Sequence, residues 1–104
     1  MRMMLKAVMD TEAANEASRK GEMLDLTKQL VSQLHAEAAY FVAEAGQRSC
    51  VIVFVMTDSS QIPVIAEPLF LGVKAQVTLA PCMNLDDLER GLSEAFAQEG
   101  ESGR

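Results

Sequence analysis

A chain of 104 residues holds one hydrophobic core and is too short for two ordinary domains, so it reads as a single domain. Its net charge of -6 and pI near 4.6 oppose accumulation on nucleic acid or an anionic membrane, which sets both aside as partners. With 49% hydrophobic and 23% charged residues, it has the balance of a globular protein, not of a disordered one.

The first nine residues carry Arg2 and Lys6. Their apolar run is broken by Lys6 and ended by Asp10, which is not the pattern of an export signal. No window approaches the roughly 18 apolar residues of a membrane span, so a cytoplasmic protein is expected. Met3 to Met9 reads as a strand with Met3, Leu5, Ala7 and Met9 on one face and Met4, Lys6 and Val8 on the other. A helix capped by Thr11 should follow and run to about Leu34. Its stripe is Ala13, Ala17, Leu24, Thr27, Val31 and Leu34, widened by Met23 and Leu30. Gly21 is its weak point, since a glycine inside a helix costs about 1 kcal/mol relative to alanine.

Ala38 to Glu44 and Ser49 to Met56, joined by Ala45-Gly46-Gln47-Arg48, read as a hairpin. Its second strand has no polar residue from Cys50 to Met56, whereas a strand with one wet face shows one at every second position. Both of its faces must be covered. A short helix capped by Ser60 is expected to end or kink at Pro68 and to stop by Gly72. Val73 to Ala80 is a half-polar edge strand, with Lys74, Gln76, Thr78 and Ala80 on one face. Asn84 should cap a last helix with a stripe of Leu85, Leu88, Leu92, Ala95 and Phe96. Residues 98–104 lack apolar side chains and read as a disordered tail.

The order βαββαβ plus a terminal helix is that of the ferredoxin-like α+β fold, with a four-stranded antiparallel sheet in the order 4-1-3-2 over residues 1–97. The first strand then separates Cys50 from Cys82 by about 9.6 Å, two spacings of about 4.8 Å. A disulfide needs Cα atoms within about 7 Å, so the two cysteines should not pair. Helices between strands cover one face of such a sheet. The other exposes alternate residues of the apolar strand, a patch that monomers rarely leave in water. Either a second copy covers it, giving a homodimer of the dimeric α/β-barrel type, or the terminal helix folds back across it.

The segments Glu37-Ala38-Ala39-Tyr40-Phe41, Ser59 to Phe70 and Ala80 to Leu88 resemble a family of small bacterial proteins of unknown function within the ferredoxin-like, dimeric α/β-barrel group. The resemblance covers most of the chain from Glu37 to Leu92. It implies the fold and dimerisation, and no activity.

The chemistry-bearing residues are few. His35, the one histidine, lies at a helix end, where a cation suits the dipole or a base could work. Tyr40 and Glu44 share a strand face and, on an open sheet, would join Lys6 around a polar cavity able to hold a small anionic or carbonyl-bearing molecule. Glu67 precedes the proline of the expected kink, where freed carbonyls and a carboxylate could meet a ligand. One histidine and no glycine-rich phosphate loop give no nucleotide site; no cofactor is expected, and no cysteine, histidine or methionine spacing suggests a metal. Without a nucleophile, base and orienter set, the first reading is a dimeric interaction or small-molecule-binding module. The alternative, resting on fold analogy, is a cofactor-independent isomerase or monooxygenase using His35 or Tyr40.

Overall fold

The computed structural model describes residues 1–101. Its elements in chain order are β1 (Arg2–Val8), α1 (Thr11–Arg19), α2 (Glu22–Leu34), β2 (Ala38–Glu44), β3 (Gln47–Val55), α3 (Gln61–Val73), β4 (Gln76–Pro81) and α4 (Leu85–Glu101). One antiparallel sheet has the order β2-β3-β1-β4, which is the expected ferredoxin-like arrangement. The apolar strand β3 is interior, and β2 and β4 are the edges.

Register assigns the faces. Met3 pairs with Phe54, Leu5 with Ile52 and Ala7 with Cys50, and all six are buried under the helices. Alternate positions carry Arg2, Met4, Lys6 and Val8 opposite Val55, Val53, Val51 and Ser49 on the other face. The core adds Ala14 and Ala17 of α1, Leu30 of α2, and Ile65, Leu69 and Val73 of α3. Full burial of a leucine- or isoleucine-sized side chain contributes about 1.5–3 kcal/mol, so this single layer of contacts supplies most of the stability.

The first helix is two helices. Gly21 adopts φ 75°, in the left-handed region, and this resets the helical phase. Ala17 and Leu30 are buried as expected, but Ala14 turns inward in place of Ala13, and Leu24, expected in the core, is 58% exposed. The cap of α1 is Asp10 instead of Thr11: its carboxylate accepts from the Ala13 N–H at 3.0 Å. In the hairpin, Ala45 (φ 51°) and Gly46 (φ 80°) form the two-residue link, the positive-φ pair that matches the twist of adjoining strands.

Pro68 does not end α3, which continues through Gly72 to Val73. The N–H that proline lacks would have served the carbonyl of Val64, an exposed residue, where a freed carbonyl is open to water. Ser60 holds the cap position without a side-chain cap bond. The turn is organised instead by Asp58, whose carboxylate accepts from the Ser60 N–H at 3.0 Å and from its hydroxyl. Lys74, placed by the pattern on a strand, closes α3 in the left-handed region at φ 46°. Cys50 and Cys82 are both free, in keeping with the strand order.

The cap of α4 is the expected one, and reciprocal: Asn84 Oδ1 accepts from the Asp87 N–H at 2.8 Å, and Asp87 Oδ2 from the Asn84 N–H at 3.1 Å. The helix backbone runs past Gln98, where the pattern places the start of a disordered tail; residues 102–104 lie outside the described residues. No helix among the described residues is long and apolar enough to cross a membrane.

Candidate functional site: the open sheet face

The two sheet faces differ in cover. Helices α1, α2 and α3 lie on one. The opposite face is built in rows, each running across the strands. Ala38, Val53, Met4 and Ala80 form one; Tyr40, Val51, Lys6 and Thr78 the next; Val42, Ser49, Val8 and Gln76 a third. Glu44, opposite Gln47, begins the row beyond. Met4 is 42% exposed, Val42 51%, Val55 57% and Tyr40 71%.

A polar island lies within this apolar surface. Lys6 Nζ donates to Glu44 Oε1 at 2.8 Å. Lys6 is on β1 and Glu44 on β2, so the ion pair crosses β3. It also runs from the Val51 row to the Gln47 row and therefore passes over Ser49. That explains an otherwise odd pair of facts: Ser49 is 2% exposed on a face with no helix, and its Oγ has no hydrogen-bond partner among the described residues. A buried hydroxyl without a partner costs about 1–3 kcal/mol.

A second charged group sits at the end of the face near the start of β1. Arg2 Nε donates to Glu37 Oε1 at 2.7 Å, and Arg2 Nη1 to Asp87 Oδ2 at 2.8 Å. The Glu37 hydrogen bond, above all, raises the guanidinium pKa further. Asp87 is held below the usual carboxylate range by the Asn84 N–H first, and also by Arg90 and Arg2. This link places the first turn of α4 on the open side of the sheet.

Of the residues singled out in the sequence, Lys6, Tyr40 and Glu44 share this face. His35 does not: it is the exposed left-handed C-cap of α2, at φ 48°. Glu67 is exposed on α3, on the helix side. The sequence reading missed Arg2, Asp87 and Ser49. Alternation already put Arg2 on the face of Met4 and Lys6, whereas Asp87 required the α4 direction and Ser49 the diagonal ion pair.

The helix side carries a groove of about 630 Å³ between α1, α2 and the hairpin, lined by Met9, Met23, Leu24, Thr27, Phe41 and Arg48 among others. It opens where the break at Gly21 turns α2 away from the edge strand. Arg48 is engaged there, donating to Asn15 Oδ1 at 2.7 Å. Among the described residues, no group of three or more His, Cys, Asp or Glu side chains is placed to hold a metal ion.

No family model matches the chain, and no curated protein matches it. Among solved structures it is similar to a formyltetrahydrofolate deformylase from Pseudomonas putida KT2440, with a TM-score of 0.54 and 8% identity over 79% of this chain. The match spans 29% of that protein. The likeness is one of fold, that of a ferredoxin-like domain.

Proposed function

We propose that the protein is a homodimeric binding module whose copies meet through the open sheet face and hold a small polar molecule beside Lys6, Tyr40 and Glu44. The apolar surface of that face carries the reading. Val42, Val55, Met4 and Tyr40 lie exposed on one side of a sheet whose other side carries α1, α2 and α3, and contiguous apolar surface of this kind marks association. The dimerisation implied by the resemblance to small bacterial proteins of the α/β-barrel group points the same way. Within the interface the Lys6 ammonium has further donors beyond the one given to Glu44, and Tyr40 and Thr78 in the same row bear hydroxyls. A ligand with a carboxylate or carbonyl group suits that set.

Light scattering at micromolar concentration tests the assembly: twice the 11.3 kDa chain mass is expected, and a monomer overturns it. A thermal-shift screen of small carboxylic and phenolic compounds tests the site. Stabilisation of the parent, lost in Lys6→Met, is expected; stabilisation by none of them removes the ligand part of the reading.

A further inference from the structure

The dimer reading leaves open what covers the sheet face, and α4 answers it. Helix α4 does not pack on its own sheet. Leu85 is 77% exposed, Leu88 41%, Leu92 48% and Phe96 66%, and these four lie within one narrow arc of the helix at their spacing of three, four and four residues. The molecule is correspondingly long, 63 × 29 × 19 Å with a radius of gyration of 17.6 Å, against about 13 Å for a compact chain of this length. A helix of this size is marginal in water without tertiary contacts. The chain thus carries two unpartnered apolar surfaces, a helix stripe and a sheet face.

We infer that α4 crosses to a second copy and lays its Leu85–Leu88–Leu92–Phe96 stripe on that copy's open sheet face, with the reciprocal contact closing a twofold dimer. The surfaces match in size. The stripe, eleven helical rises of about 1.5 Å from Leu85 to Phe96, is about 16 Å long. The apolar part of the face runs about 13 Å along β3 from Val51 to Val55 and about 14 Å across the four strands from Ala38 to Ala80.

Direction favours the other copy over the helix's own sheet. Arg2, Asn84 and Arg90 all bind Asp87, which fixes the first turn on the open side, while the stripe beyond it stays exposed and does not settle on its own strands. The groove between α2 and β2 is the rival seat for a helix, but it lies on the opposite side of the sheet from the point where α4 departs. Exchange of an identical element closes a dimer at little cost, because each contact is made twice by the same operation.

This inference rests on the dimer reading, and disulfide trapping separates the two. Val53→Cys and Leu92→Cys are made in separate chains, each with Cys82→Ser, and one chain carries a mass tag. Cys50 is buried on the helix face of β3 and stays out of reach. After mixing and mild oxidation, a covalent heterodimer of the Val53→Cys and Leu92→Cys chains is expected. Light scattering that gives a dimer, with Val53→Cys linked only to Val53→Cys, overturns the exchange and leaves the dimer standing. So does trapping of Leu92→Cys by Phe41→Cys in the groove and not by Val53→Cys. An internal bond in a chain carrying both substitutions, migrating as monomer, shows α4 folded onto its own sheet and overturns the exchange. A monomer by light scattering overturns both readings.

Discussion

Ser49 and Asp87 are polar side chains whose surroundings make opposite demands. The Ser49 hydroxyl lies under the Lys6–Glu44 ion pair without a partner, so the folded state bears its desolvation with no hydrogen bond in return. Ser49→Ala removes the hydroxyl and leaves the ion pair above it. Stabilisation of about 1 kcal/mol is expected, seen as a higher urea midpoint at unchanged slope; a loss of that size would mean that the hydroxyl does have a partner. Asp87 is the reverse case, a carboxylate with the Asn84 N–H, Arg90 and Arg2 around it. Its pKa is lower folded than unfolded. The stabilisation it brings to α4 is therefore complete above its unfolded value, near pH 4, and disappears as pH falls through the lower folded value. Asp87→Ala should have a weaker helical circular dichroism signal than the parent at pH 7, and the difference should close as pH falls through the lowered folded pKa of Asp87.

At the scale of elements, the position that decides most is Gly21. Were α1 and α2 one continuous helix, Gly21→Ala would stabilise by about 1 kcal/mol. In the broken helix, Gly21 sits at φ 75°, with nothing within 4 Å of where a Cβ would stand. Alanine then pays only the left-handed backbone cost, about 1–2 kcal/mol, and Gly21→Asn pays less. The sign of the change in thermal midpoint distinguishes the two. This helix also shows how far the sequence could be read. Strand existence follows from alternation in β1 and order from the βαββαβ succession, whereas the uniformly apolar β3 does not say which of its faces meets the helices; that took the register that buries Leu5, Ile52 and Phe54 together. The αα break needed a backbone conformation that composition does not specify, and the phase shift it causes is why Leu24 was misplaced. Pro68 failed as a stop signal because the carbonyl it leaves free belongs to Val64, an exposed residue. In the candidate site, parity puts Tyr40 and Glu44 on one face of β2, and their meeting with Lys6 was legible only as a consequence of that face being the open one. Asp87 meeting Arg2 across 85 residues was not.

For the whole molecule, the balance between a monomer with two wet apolar surfaces and a dimer that buries them has a concentration signature. If folding and association are linked, the thermal midpoint rises with protein concentration. A hundredfold increase is worth about 2.7 kcal/mol of mass action, which for a domain of this size corresponds to roughly 10 °C or somewhat more. Val53 tests where the linkage resides. It is half-buried at the centre of the open face and, in an isolated chain, its ammonium-bearing replacement reaches water by extending its stem. Val53→Lys should therefore cost little in a monomer and much in a dimer that seats apolar side chains on that row, where an unpaired charge would be buried. The expected result is a parent whose midpoint climbs with concentration and a Val53→Lys variant whose midpoint is lower and flat. A parent already flat between about 1 and 100 µM, where the change should be largest, would mean that the open face stays in water.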